Sequence, residues 1–195
     1  MEAGSSNSTA RAPAPGRLLL VQEFINTYDV EMAQDGLSDL ATLEGWLRER
    51  GLLAAGAAFG PGDLARARAF REALRDLIDE HGDASRESAI RTLNSLSHRA
   101  LLAVSLDADG APRLTAAADG LDGAFAELLA VIERADHDGT WRRLKACAQD
   151  SCRWAFYDHS KNRSGSWCTM AVCGNRAKAR SYRARRRSAG GGDTG

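Results

Sequence analysis

Apolar residues over the first 140 positions recur mostly at helical spacing. Val21, Phe24, Ile25 and Tyr28 fall at i, i+3, i+4 and i+7, which predicts one buried helical face. Thr42 is a capping residue type ahead of Leu43, Trp46 and Leu47, so a short helix is expected there, stopping at Gly51. Asp63 after Pro61-Gly62 predicts a longer helix with Phe70, Leu74, Leu77 and Ile78 inward and Gly82 as its stop. Ser85 opens another, carrying Ile90, Leu93 and Leu96 inward. The period then changes. Leu101 to Leu106, the turn Asp107-Ala108-Asp109-Gly110 and Pro112 to Ala116 read as a β-hairpin. Leu121, Phe125, Leu128, Leu129 and Ile132 restore the helical period in a final amphipathic helix.

The expected fold is therefore α+β and mostly helical. A helical domain over residues 17–138 carries one hairpin, and a small module over 142–187 follows it. Residues 1–16 are rich in Ser, Ala, Pro and Gly and read as a disordered leader; residues 188–195 read as a disordered Gly-rich tail.

Composition narrows the class. At 44% hydrophobic and 27% charged, the 195-residue chain is neither wholly disordered nor a disulfide scaffold. No apolar run approaches the roughly 18 residues of a membrane-spanning helix. The run Leu18 to Val21 is also shorter than the core of a signal peptide. A cytoplasmic protein in a reducing compartment is expected, with no membrane partner. Net charge is zero, but the average conceals a split. Residues 1–141 hold 13 Lys/Arg against 23 Asp/Glu, a net of −10. Residues 142–187 hold 13 Lys/Arg against only Asp150 and Asp158, a net of +11. Such asymmetry points either to a polyanion-binding module or to a solvated charged tail.

The cysteines carry the chemistry. All four lie within 27 residues, as two pairs of identical spacing: Cys147 with Cys152, and Cys168 with Cys173. Two short loops that each aim two sulfurs at one point form a structural zinc site, and four thiolates leave no open position for substrate. Disulfides are disfavoured in a reducing compartment, and no βαβ pattern supports a redox pair. An iron–sulfur cluster is the remaining alternative. His159 lies between the pairs, but with four cysteines present it reads as a surface residue. Trp154-Ala155-Phe156-Tyr157 reads as a strand with Trp154 and Phe156 on one face, either a miniature core beside the metal or a surface for stacking on bases.

After the fourth cysteine the chain turns basic. From Asn175 to Arg187 there is no acidic residue, no Gly and no Pro, and the Ala and Arg content favours helix. Arg176, Arg180 and Arg183 share a helical face, and Lys178, Arg185 and Arg186 broaden the stripe. Such a helix suits the neutralisation of phosphates, and Arg can also read guanine edges. Part of this charge would balance the −2 of a zinc tetrathiolate. Membrane docking is disfavoured because the helix lacks an apolar face. Asn175 has two readings, a DNA contact or a helix cap.

The runs Leu144-Lys145-Ala146-Cys147, Cys152-Arg153-Trp154-Ala155-Phe156-Tyr157-Asp158, Trp167-Cys168-Thr169-Met170 and Cys173-Gly174-Asn175-Arg176-Ala177-Lys178 closely resemble the CGNR zinc finger family. The four cysteines of that family map onto the four here. Phe24-Ile25-Asn26-Thr27 and the hairpin before the last helix resemble, more loosely, the ABATE domain that usually precedes such a finger. The resemblance implies one structural zinc ion and a stress-response bacterial transcription regulator that binds double-stranded DNA through the finger. The residues expected to contact nucleic acid are Asn175, Arg176, Lys178, Arg180, Arg183, Arg185 and Arg186. A single small finger binds modestly, so a homodimer or a second contact is expected. The alternative is a zinc-stabilised protein-interaction module whose basic segment pairs with an acidic partner or with its own acidic domain; RNA in place of DNA is a third option. An enzyme is not expected. His81, His98, His137 and His159 form no ligand pattern, and no nucleophile elbow, phosphate-binding loop or H-E-x-x-H motif is present.

Overall fold

A computed structural model describes residues 13–53, 56–80 and 83–190. Of the expected disordered leader and tail, residues 1–12 and 191–195 lie outside the described residues, as does the expected stop at Gly82. The remainder is ordered: Ala14 is buried in the core, its amide donating to the Gln22 side chain at 2.7 Å, and residues 188–190 continue the last helix.

Helix α1 (Leu18–Ile25) buries Val21, Phe24 and Ile25 as their spacing predicts. Tyr28 does not continue the helix. The Asn26 amide donates to the Gln22 carbonyl, and the Thr27 amide and hydroxyl both donate to that of Phe24, which closes the last turn. Tyr28 instead enters β1 (Tyr28–Asp29), paired antiparallel with β2 (Gln34–Asp35). Two-residue strands leave no period to read, so the apolar pattern gives no sign of this pair.

Helix α2 (Leu40–Glu49) buries Leu43 and Leu47 and ends ahead of Gly51, whose φ of 65° is left-handed. Its cap is Asp39 and not Thr42. The Asp39 carboxylate accepts from the Thr42 amide at 2.8 Å, and the Thr42 hydroxyl accepts from the Asp39 amide at 3.0 Å, a reciprocal capping box. Helix α3 (Asp63–Leu77) turns Phe70 and Leu74 fully inward. Helix α4 (Asp83–Leu96) starts two residues ahead of Ser85 and packs on α3. It buries Ala89 and Leu93 and leaves Ile90 42% exposed, contrary to expectation, because the inward stripe runs through Ala89, Leu93 and Leu96 at i, i+4 and i+7.

The predicted hairpin forms from β3 (Leu102–Leu106) and β4 (Pro112–Ala116), in the register Leu102 to Ala116 and Leu106 to Pro112. Asp107 shapes its turn by accepting from the amides of Asp109 and Ala111 and pairing with Arg113. Helix α5 (Gly120–His137) brings Leu121, Phe125 and Leu128 into the core, with Leu129 and Ile132 at its margin. Phe70 stacks on Phe125 with ring centroids 4.0 Å apart, and Phe24 tilts against Phe70.

The core does not stop at the end of α5. After a 3-10 turn at Trp141–Arg143, β5 (Leu144–Ala146) pairs antiparallel with β6 (Ala155–Tyr157). Leu144, Ala146, Ala155 and Tyr157 join the same apolar cluster as the helices. About 49% of the described residues are helical, with a few short strand pairs, the mostly helical α+β class that the periodicity predicts.

Candidate metal centre and basic helix

Alternation along β5 and β6 gives each face one task. Leu144 opposite Tyr157 and Ala146 opposite Ala155 face the main core. Phe156, on the other face, is buried against the four cysteines, with Trp154 and Trp167 beside it. Phe156, with Trp154 and Trp167 partly buried beside it, forms a miniature core next to the sulfurs, and Phe156 is too buried to stack on a base.

The first pair of cysteines occupies the connection between β5 and β6. The Cys147 amide donates to the Trp154 carbonyl at 3.0 Å, and the amides of Cys152 and Arg153 both donate to the Gln149 carbonyl. Arg153 leaves this loop at a left-handed φ of 48°, uncommon for a residue with a side chain. Its guanidinium holds it there through Asp76 at 2.6 Å and Asp79 at 3.3 Å. The second pair is fastened to the first by the Ala148 amide, which donates to the Ser166 carbonyl at 2.8 Å.

All four thiols are buried and their sulfurs lie within 4.8 Å of one another. Cys152 Sγ is 3.7 Å from Cys168 Sγ, which is 3.8 Å from Cys173 Sγ. A tetrahedral zinc at about 2.3 Å from each sulfur requires edges of about 3.8 Å, so the residues fit one ion, with no room for a multi-iron cluster. The same spacing is far longer than a disulfide bond of about 2 Å, and the cysteines are free. Hydrogen bonds from Cys152 and Cys168 hold the Cys147 thiol well below its usual range. Burial and the neighbouring sulfurs of Cys147 and Cys152 push the Cys173 thiol up to about 12. The quartet resists becoming fully ionised by itself, which is the condition a divalent cation relieves. His159 takes no part: it is exposed, faces the Pro13 carbonyl and packs edge-on against Tyr157.

Residues not singled out by sequence hold the sulfur-bearing loops in place. Lys145 is buried on β5, with Nζ 2.6 Å from the Arg163 carbonyl and 3.4 Å from the Asp158 carboxylate. Asp158, also buried, accepts from the amides of Ser160 at 2.9 Å and Gly165 at 2.8 Å. This pair ties the loop that leads to Cys168 onto the hairpin. The available signal was a Lys and an Asp flanking strand residues that otherwise face a core.

The fourth cysteine lies in a π-helical turn, Met170–Gly174, which runs without interruption into α6 (Asn175–Gly190). Thr169 caps this turn by accepting from the Val172 amide at 3.1 Å. Asn175 is therefore not an N-cap. It already has helical φ and ψ, and its side-chain amide donates to the Ala171 carbonyl at 3.0 Å. Arg176 pairs with Glu31 at 2.5 Å, and Arg180 donates to the Gln149 side chain, so both turn back toward the body. Lys178, Arg183, Arg185 and Arg186 lie on a stretch exposed from Lys178 to Arg186. Tyr182, 56% exposed with Arg186 over its ring, stands among them, and Met170 and Val172 are exposed on the π turn. Sequence periodicity gave no reason to expect these apolar side chains outside.

The finger is docked firmly. Asn26 exchanges two hydrogen bonds of 2.8 Å with the Ala155 backbone, and the Ala146 amide donates to the Ile78 carbonyl at 3.1 Å. Arg75, fully buried, donates to the carbonyls of Ile25, Tyr28 and Arg153 and pairs with Glu72. One guanidinium thus joins the end of α1, the β1 strand and the metal loop.

Two known families cover this arrangement of helical domain and metal loops. Residues 18–149 match the model of the ABATE family, described as "Putative stress-induced transcription regulator". Residues 143–186 match the CGNR zinc finger. The two matches overlap at 143–149, which spans β5 and Cys147, so the families meet inside a shared strand. A search of curated proteins finds no match. Among the described residues, no helix is long and apolar enough to cross a membrane.

Proposed function

Because the chain belongs to the ABATE family and carries a CGNR zinc finger, we propose that it is a DNA-binding transcription regulator. The observation that carries this reading is α6: a basic helix without an acidic residue, exposed from Lys178 to Arg186, launched from the turn that holds the fourth metal ligand. Lys178, Arg183, Arg185 and Arg186 are the outward contacts to phosphates or base edges. Arg176 and Arg180 set the angle of the helix as well as adding charge, and Asn175 braces the π turn beneath it. Tyr182, Met170 and Val172 supply apolar contact beside the charge. The N-terminal domain senses a signal or dimerises. In favour of sensing, a groove of about 680 Å³ lies between α3, α5 and the segment entering the finger, lined in part by Leu77, Leu129, Ile132, Trp141 and Leu144. A ligand there would touch Leu144 of β5, the strand that leads into Cys147.

The test uses the full zinc-loaded chain and its Arg183→Ala/Arg185→Ala/Arg186→Ala variant. The exposed positions leave the melting temperature unchanged, while duplex affinity falls and the salt slope drops by about 0.9 for each phosphate no longer neutralised. A variant that binds DNA as the parent does would remove α6 from the interface. The interaction-module reading draws support from the Arg176–Glu31 pair, in which the basic helix meets its own acidic domain. On that reading Glu31→Gln changes domain docking alone; on the regulator reading it frees Arg176 and releases the helix angle, so DNA affinity changes as well.

A further inference from the structure

The β3–β4 hairpin stands out from the rest of the fold. Two strands by themselves make a marginal sheet, and this one carries its apolar residues outside. Leu101 is 60% exposed, Val104 72% and Leu106 70%. The register places Leu102, Val104 and Leu106 opposite Ala116, Leu114 and Pro112, so one face of the hairpin is apolar from end to end.

The free edge has a definite hydrogen-bonding pattern. The Ala117 amide donates to the Leu101 carbonyl, and the Asp107 amide to the Ala111 carbonyl. Antiparallel alternation then directs the backbone of residues 101, 103, 105 and 107 toward β4. The N–H and C=O groups of Leu102, Val104 and Leu106 point the other way, along the outer edge of β3. Exposed edges are ordinarily guarded by charge, proline or a bulge. The strand Leu102–Leu106 has no charged residue and no proline, and its pairing with β4 is unbroken.

We propose that this edge is where a second copy of the chain docks, β3 against β3 in antiparallel orientation about a two-fold axis at Val104. In that register Val104 faces its own counterpart, and Leu102 faces Leu106 of the second copy. These three pairs join the outward-pointing backbone groups, exchanging about six main-chain hydrogen bonds. The two apolar faces become one four-stranded face. Charge agrees with this choice of occupant. Arg99 flanks the start of β3, and Asp107 and Asp109 occupy the turn at its end. Antiparallel orientation sets the Arg99 end of each strand, where Arg99 is held by Asp122 of its own chain, toward the Asp109 end of the other. Hydrogen bonding and apolar side chains are self-complementary in the one register, and the oppositely charged strand ends agree with it, as an isologous interface requires. The proposal is independent of DNA binding.

The test is the mass of the full zinc-loaded chain by light scattering at micromolar concentrations, expected at twice the monomer. Val104→Lys opposes two ammonium groups at the axis and should return the monomer mass while keeping the far-UV circular dichroism of the folded chain. Val104→Cys should cross-link under mild oxidation, since directly opposed residues of a hydrogen-bonded pair lie about 5.5 Å apart at Cα. Ala108→Cys, at the hairpin tip, should not. A wild-type monomer, a dimer whose mass Val104→Lys leaves unmoved, or a Val104→Cys protein that fails to cross-link would each overturn the proposal.

Discussion

Lys145 is only 5% exposed at its side chain, on a strand whose neighbours serve the core, and Asp158 is buried beside it. Burial by itself would raise the Asp158 carboxyl. Hydrogen bonds from Ser160, then the Gly165 amide and Lys145, outweigh that cost and hold it down at about 2. A carboxyl with a lowered folded pKa stabilises the fold above its ordinary value near 3.8, and that contribution is lost as pH falls from about 4 to about 2. Asp158→Asn should therefore cost about 3 kcal/mol at neutral pH, because Lys145 remains buried with only the exposed Glu80 as counter-charge. The deficit relative to wild type, read from urea denaturation across pH, should shrink as pH falls from about 4 and close near pH 2. A deficit that persists into acid would mean the pair is not the cause. At this scale the cysteines were legible because metal chemistry fixes both residue type and spacing. Asn175 was not: its role depends on whether the helix begins at it or continues through it, which only the π turn decides.

Helix boundaries show the same limit one level up. The apolar period found α1, α2, α3, α4 and α5, because burial of one face is what stabilises short helices. It misplaced the α2 cap by three residues, since Asp39 and Thr42 are both capping types and share the box reciprocally. The inward position given to Ile90 belongs to Ala89, which keeps i, i+4, i+7 phase with Leu93 and Leu96, a phase that a small residue does not advertise in the apolar pattern. The cap makes a clear prediction. Asp39→Ala should destabilise the protein by about 1 kcal/mol, and Asp39→Ser much less, by thermal or urea unfolding. Equal losses for the two would show that the side-chain cap contributes nothing. Helix α6 obeys a different rule. It is exposed from Lys178 to Arg186, and its charge, not packing, identified it in the sequence.

For the whole molecule, the sequence suggested two modules with a boundary near residue 140, where charge changes sign. The core crosses that boundary. Leu144, Ala146, Ala155 and Tyr157 pack with Phe24, Leu74 and Leu128, and Arg75 and Asn26 bond directly to the finger backbone. Charge patterning reports surfaces, whereas the shared strand is read only once the chain is folded. It follows that zinc belongs to the stability of the entire chain. Chelation should lower the melting temperature of one cooperative transition in calorimetry, by far more than a local loss of the finger would. Two separate transitions, with the helical one unmoved by chelator, would contradict a shared core. Excising residues 142–187 would expose the strand face that the helices cover, so nucleic-acid binding is best measured on the intact protein.

Whether the zinc-held basic helix grips the DNA backbone is tested most directly by fluorescence anisotropy. A labelled duplex is titrated with the full zinc-loaded chain over a series of salt concentrations. Affinity should fall steeply with salt, with a slope matching roughly 4–7 phosphate contacts at about 0.9 each. A folded, zinc-replete chain that ignores duplex DNA even at low salt would contradict this role and leave the basic helix to a protein partner.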